Sequence, residues 1–458
     1  MKQNSLYISN SERGIRKYIL RVLSCIGMMC IASLILKGTH YLVNIDYIWT
    51  WSHFFWGKYY QNEQNIDNIF LGSSHVFCDI DPIIMDRELG ENNWNMSNNG
   101  MRLNAAYSIL KEVDSQNELK SVYLELFYWC STNEDGETNS AESYFYNSMN
   151  TDYRHENQYN IGLQLTMSSP ARYLDTFFPG VRYRQYLFAP YHILSAVKYE
   201  RSEDYRNNIF RLETERGVTE YQDKGFWFST IEMIDSERIE KKDRDIKEGT
   251  TLTGSAEIYL RKIIKYCKDE GIELVLFCSP MYDIQLLSVG DYDAYVNKIK
   301  AIADEYGISY YDFNLIKPEY MDIQHLEYYK DMDHLNTKGA DEFSGLFADI
   351  IIDPSIADGM FYDSYHEKLS AIEAEVYGLY WITLEDGTRR FYIASNRDDG
   401  IIYDITVRPS GGEPFQIKVE NEEKLFDIFD DSAGTIELNF LIEDSSKSGQ
   451  FVINYDKE

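Results

Sequence analysis

The hydrophobic period of the chain changes repeatedly after residue 65. "NIFLG" (68–72) is an unbroken apolar run of strand length that stops on glycine, as a buried strand does. "DPIIMDREL" (81–89) puts Pro82 near a helix start and spaces its apolar residues helically. "NWNMSNNG" (93–100) reads as a strand end running into a polar turn. "MRLNAAYSILKEV" (101–113) reads as an amphipathic helix and "KSVYLELFYWC" (120–130) as an apolar strand. Strand and helix alternating with short links predict a parallel sheet covered by helices.

The alternation stops over 131–250, a stretch rich in Tyr, Asn, Asp, Glu and Arg. Within it "PYHILSAVKYERSEDYRNNIFRL" (190–212) reads as helix, and the whole is expected to be an insertion that caps the sheet. The pattern then resumes. The helix "SAEIYLRKIIKYCKDEG" (255–271), with Ser255 as its N-cap and Gly271 as its stop, leads to the strand "IELVLFCSP" (272–280). The helix "DYDAYVNKIKAIADEYG" (291–307) leads to the strand "ISYYDFN" (308–314), and the helix "TKGADEFSGLFADII" (337–351) closes the unit. Residues 66–352 are therefore expected to form an α/β fold, a doubly wound parallel five-stranded sheet with 131–250 inserted. Over 365–458 the period becomes two, with turn pairs Asp386-Gly387, Asp399-Gly400 and Gly411-Gly412. That style predicts an all-β accessory domain, a sandwich or small barrel, for glycan or partner binding or for structural support.

The N-terminal region has a different logic. Residues 1–17 form a basic tail: Arg13, Arg16 and Lys17, with Arg21, cluster at the start of the apolar stretch 18–37, which contains "VLSCIGMMCIASLIL" (22–36). This approaches the ~20 residues that span a bilayer, with Arg21 snorkelling to the headgroups. A cleaved signal peptide is the rival reading, but Lys37-Gly38-Thr39-His40 is a poor cleavage site. An uncleaved anchor is expected, its N-terminus cytoplasmic and the remainder extracytoplasmic at the cell membrane. Residues 38–65 then form a membrane-proximal linker whose Trp49, Trp51, Phe54, Phe55 and Trp56 suit an interfacial aromatic belt.

Length and charge narrow the function classes. The 458 residues allow two or three domains. Acidic residues outnumber basic ones 75 to 44, a net charge of −31 that repels phosphate backbones and argues against a nucleic-acid partner. The 38 Tyr, 23 Phe and 7 Trp offer flat faces with polar edges, which suit sugar rings and equally suit packing in an aromatic core. The six cysteines are scattered without a CxxC pair or neighbouring histidines, which argues against a zinc site and for buried free thiols in a bacterial surface protein.

Two short segments carry candidate chemistry. Gly72-Ser73-Ser74 sits where the first strand ends, and ligands of doubly wound sheets bind beyond strand C-termini. An ordinary turn is the bland alternative. In "YKDMDHLNTKGADEF" (329–343), Asp331 lies three residues before His334 and can fold back to the imidazole Nδ1. That would fix the tautomer in which Nε2 accepts a serine proton. The bland alternative is a histidine at a helix start making a capping bond. Because the segment follows the last strand of the sheet, it is expected to face the C-terminal end of the first.

Gly-x-Ser after the first strand, an Asn-containing turn ending in Gly100 and a late Asp-x-x-His together resemble the SGNH/GDSL hydrolase superfamily, whose sheet is flavodoxin-like. "GSSH" with "DHLN" behind one anchor is similar to its membrane-anchored branch, the DltD-like and alginate-acetylation-type proteins. The resemblance implies Ser74 as nucleophile, His334 and Asp331 as the acid–base pair, and the Ser74 and Gly100 amides as the oxyanion hole. Asp333 is then a solvated neighbour. The family's third block carries an Asn that donates to the oxyanion; here the region reads "ELFYWC" (125–130), without one. Tyr128 and Trp129 are the candidates to replace it. His75 and Asn99 join them as substrate contacts, with simple packing the alternative for His75.

The activity so implied is O-acylation, as O-acetylation, of a cell-surface or secreted polysaccharide through an acyl-serine. The partners would be a polysaccharide or teichoic-acid-like acceptor and a multi-pass membrane acyltransferase, with no cofactor or metal. A carbohydrate esterase of the same fold is one alternative, and a non-catalytic glycan-binding scaffold another.

Overall fold

Five short strands form one parallel sheet in the computed structural model: β1 (Asn68–Leu71), β2 (Asn93–Asn95), β3 (Ser121–Glu125), β8 (Glu273–Cys278) and β9 (Ser309–Asp312), in the order β2-β1-β3-β8-β9. The structure describes residues 3–43, 55–132, 189–207, 209–242, 251–289, 291–419, 424–429 and 433–456. The chain steps from β1 outward to β2 and then returns to β3 on the other side. That reversal opens a crevice at the C-terminal ends of β1 and β3.

Both faces of the sheet are apolar. Phe70, Tyr123, Val275 and Phe277 share a buried cluster with Phe343 and Phe347, so the helix Thr337–Ile352 covers that face. The alternate residues Ile69, Leu71, Val122, Leu124 and Leu276 are also buried and by pleat point the other way. Helices Leu103–Asp114 and Gly254–Glu270 pack together. A strand buried on both faces must be apolar throughout, which is why these runs do not alternate.

Local chemistry explains the element ends. Asp81 caps the helix Pro82–Leu89 by accepting from the Ile83 amide at 2.8 Å, and Gly90 ends it in the left-handed region. The cap of Gly254–Glu270 is Thr253, which accepts from Ala256, rather than Ser255. The third strand is shorter than its apolar run: it stops at Glu125, and the chain turns at Phe127 into the short helix Tyr128–Ser131.

The 131–250 stretch is partly sheet. Residues 133–188 and 243–250 lie outside the described residues. The helical reading of 190–212 holds for Pro190–Glu200 and Glu203–Arg206, after which β4 (Arg211–Thr214) pairs with β5 (Gly217–Tyr221), and β5 with β6 (Trp227–Ser229). Gly225, before β6, approaches the Asn95 carbonyl so closely that an added Cβ would lie 2.3 Å from its oxygen. The next strand, β7 (Ile239–Lys241), leaves the insertion and pairs in parallel with the C-terminal sheet.

That C-terminal region contains two four-stranded sheets, β14-β11-β10-β7 and β13-β12-β15-β16, built from β10 (Val376–Thr383), β11 (Arg389–Ser395), β12 (Ile401–Pro409), β13 (Phe415–Ile417), β14 (Leu425–Ile428), β15 (Gly434–Ile442) and β16 (Ser448–Tyr455). Leu379, Phe391 and Ile393 of one sheet and Ile405, Leu438 and Ile453 of the other share one buried cluster, which makes a sandwich. Its separateness is incomplete. Tyr377 and Ala394 belong to the same buried cluster as Phe70 and Phe277 of the parallel sheet. Lys368 and Asp283 add an ion pair at 2.8 Å with both side chains buried.

The N-terminal helix Gln3–Val43 contains a 21-residue span, Ile15–Ile35, with mean hydropathy 2.0, long and apolar enough to cross a membrane or to serve as a signal sequence. Of the expected aromatic belt, Trp49, Trp51 and Phe54 lie outside the described residues, while Phe55 and Trp56 are buried. Cys78, Cys267 and Cys278 are buried free thiols.

Candidate active site

Strand β1 delivers Gly72 to a place where no side chain fits: a Cβ there would lie 2.5 Å from Glu125 Oε2 and 2.6 Å from Val76 Cγ2. Ser73 follows as N-cap of the helix Ser74–Asp79, its hydroxyl accepting the His75 amide at 3.3 Å. Ser74 is the first helical residue. Among residues 71–80 it alone is not buried, so the turn presents one hydroxyl while its neighbours lock into the core.

The second segment folds on its own aspartate. Asp331 Oδ1 accepts the amides of Asp333 at 3.0 Å and His334 at 2.9 Å, and lies 2.8 Å from His334 Nδ1. Desolvation pushes this carboxyl up. The His334 ring, Lys330 and the Asp333 amide outweigh it and hold the group well below the usual carboxylate range. An ionised Asp331 accepts only, so Nδ1 carries the hydrogen and Nε2 has the free lone pair. His334 Nε2 lies 2.7 Å from Ser74 Oγ, across 260 positions of sequence. Ser74, His334 and Asp331 thus form one hydrogen-bonded line at the crevice.

Two ties hold that line. Asp79, the last residue of the Ser74 helix, accepts the Leu335 amide at 2.9 Å. Asn336 caps the helix Thr337–Ile352, and its Nδ2 donates to the carbonyls of Ile231, Glu327 and Tyr329. Asp79 is fully buried, and desolvation raises its pKa to about 8 against the opposing pull of His75.

The residue that sequence reading overlooked is Glu125, the first letter of "ELFYWC". Its buried carboxylate accepts the Ser73 amide at 2.7 Å and the Ser73 hydroxyl at 3.2 Å, and lies 3.1 Å from His75 Nδ1. An acidic residue closing an otherwise apolar strand was the available signal, since a buried carboxylate must have partners. His75, expected at the substrate, is instead buried against Glu125 and Phe127, with its ring centroid 5.1 Å from that of His334. Burial alone would lower its pKa. Glu125 chiefly, with Asp79 and Asp333, raises it to about 9, so the ring is an imidazolium at neutral pH.

The remaining candidates divide. The Asn98 amide donates to the Gly72 carbonyl at 3.3 Å, so the turn carrying Asn99 and Gly100 lies beside the Ser74 turn; Gly100 has φ +56°. Asn99 donates its amide to the Asn98 side chain at 2.8 Å. Tyr128 packs its ring on Trp129, Tyr292 and Tyr295. Trp129 lies under Lys242, whose ammonium is 5.3 Å from the ring. Asp333, expected in solvent, is half-buried, and its Oδ1 is a buried atom without a hydrogen-bond partner among the described residues. The insertion flanks the site through Trp227, which stands 6.0 Å from Phe77 and 5.9 Å from the Lys330 ammonium. No family model, no curated protein and no solved structure matches this chain.

Proposed function

We propose that this chain is an extracytoplasmic, membrane-anchored serine acyltransferase of SGNH type that O-acylates a surface or secreted polysaccharide. The observation that carries this reading is the line from Asp331 Oδ1 through the His334 ring to Ser74 Oγ, with links of 2.8 and 2.7 Å. The apolar span behind a basic tail supports the membrane placement and the outward orientation.

The proposed chemistry follows from the geometry. His334 Nε2 takes the Ser74 proton as Oγ attacks the carbonyl carbon of an acyl donor. The carbonyl oxygen becomes an oxyanion, and the amides of Ser74 and Gly100 are the donors offered to it. Collapse expels the donor's leaving group, which takes the proton from His334, and the acyl group stays on Ser74. An acceptor hydroxyl then gives its proton to His334 as it attacks the acyl-serine carbonyl; collapse of this second oxyanion breaks the acyl–Oγ bond, His334 returns the proton to Ser74 Oγ, and the acceptor leaves as the ester. Asp331 holds the Nδ1–H tautomer and stabilises the imidazolium formed in each half.

The test is covalent labelling of the full chain in detergent by a fluorophosphonate, which reports an activated serine. Labelling of wild type and none of Ser74→Ala is the expected pair. An unlabelled wild type would sink the reading and leave a glycan-binding scaffold. Turnover of p-nitrophenyl acetate with and without an oligosaccharide acceptor then separates transfer from hydrolysis: an acyl-transferase gives acylated oligosaccharide, an esterase only acetate.

A further inference from the structure

His75 is a buried titratable group beside Ser74 that the proposed reaction leaves unused. It follows the nucleophile directly, and its side chain and that of Glu125 are each only 1% exposed. Nothing in packing alone requires a histidine there, and an apolar ring would not leave a polar atom over. Nδ1 is taken by Glu125 at 3.1 Å, while Nε2 is buried without a hydrogen-bond partner among the described residues. A buried, unpartnered donor is costly, so its retention calls for a reason. The titratable groups around the ring are Glu125 at the end of β3, Asp79 one turn along its own helix, and Asp333 and His334 on the opposing loop.

We propose that His75, clamped by Glu125, is a positioning residue for Ser74 and His334: a fixed cation that holds the Gly72–Ser74 turn and disfavours a second positive charge on His334. The inference rests on the acyl-transfer reading of the same site. The clamp is geometric, because the Glu125 carboxylate gathers the Ser73 amide, the Ser73 hydroxyl and His75 Nδ1, on either side of Ser74, onto one strand end. The electrostatic part follows from the ring separation of 5.1 Å. Like charges at that distance disfavour one another, and Asp331 pulls the opposite way.

Hydrogen–deuterium exchange at the imidazole C2 position, read by mass spectrometry on the full chain in detergent, gives the midpoint of each histidine without needing activity. In wild type His75 is expected to titrate well above the ordinary histidine range; a midpoint at or below about 6.5 overturns the proposal. In His75→Gln, which removes the cation and leaves the Glu125 charge, the His334 midpoint is expected to rise by about one pH unit. The acid limb of fluorophosphonate labelling should rise with it. An unchanged His334 midpoint overturns the proposal. If His75→Gln does not fold, the wild-type titration still decides. Absent labelling of wild type alongside the expected midpoints would refute acyl transfer while leaving the charge relationship measured.

Discussion

Asp79 accepts the Leu335 amide at 2.9 Å, and so joins the end of the helix that begins at Ser74 to the residue after His334. One short helix therefore carries the nucleophile candidate at its start and the anchor of its base at its end. Asp79→Ala leaves the Leu335 amide buried without that acceptor, a loss of about 1–3 kcal/mol. Fluorophosphonate labelling should slow as the loop loosens, and urea unfolding should report the stability loss. Labelling at the wild-type rate would show that the tie does not position His334.

The Asp331 carboxylate fixes the His334 tautomer. Asp331→Asn keeps the shape but can present an amide donor to Nδ1, favouring the tautomer that lacks a lone pair on Nε2. The labelling rate should fall by at least about 100-fold with little change in thermal unfolding. A rate within a few-fold of wild type would remove Asp331 from the proposed chemistry.

Gly72 has no room for a methyl group, with Glu125 and Val76 at 2.5 and 2.6 Å from the Cβ position. Gly72→Ala must push the Glu125 carboxylate or the strand end aside, at an expected cost of about 1–3 kcal/mol. Thermal unfolding and labelling should both suffer. A variant as stable as wild type would mean that the turn shifts freely.

Two buried groups are expected to lower stability as pH rises. His75 rises from 6.5 to about 9 on folding, and Asp79 from 3.8 to about 8. Each binds its proton more tightly when folded, so its contribution is complete below the unfolded pKa and is lost as pH climbs through the folded one. Because the two groups interact, the loss belongs to the pair. The unfolding free energy is expected to fall between pH 6.5 and 9 by about 2 kcal/mol or more, and Asp79→Asn should flatten part of that fall. Urea unfolding across this range checks both; a rise toward pH 9 would contradict the sign.

The Lys368–Asp283 pair is fully buried, with Tyr365 donating to the same Asp283 oxygen at 3.3 Å. Lys368→Met would strand a buried carboxylate and should cost about 3–5 kcal/mol. Double replacement with Asp283→Leu should recover most of that loss in unfolding experiments. A single variant that unfolds like wild type would show the pair to be dispensable.

The parallel sheet was legible because its strands are buried on both sides. "NIFLG", "KSVYLELF" and "IELVLFC" are apolar without alternation, and glycines at 271 and 307 end the helices between strands. The reading ran too far at 126–130, where apolar residues continue although the chain turns: Tyr128 is buried against Tyr292 and Tyr295, which lie far along the chain. β7 was missed for a related reason, since a three-residue strand carries too few residues to show a period, and its partner β10 is more than a hundred residues away.

The sequence by itself determined the strands and helices of the parallel sheet, the apolar N-terminal span, and the Gly72-Ser73-Ser74 and Asp331-x-x-His334 segments that the structure brings together. Those properties are local: period, cap and turn are written in neighbouring residues. Tertiary structure alone decided that Glu125 belongs to His75 and Ser73, that Asp79 belongs to Leu335, and that the sandwich shares a core with the parallel sheet. Each of these is a pairing of buried polar or apolar groups across long loops. Such partners are chosen by which groups must leave water together, and no nearby residue encodes that choice.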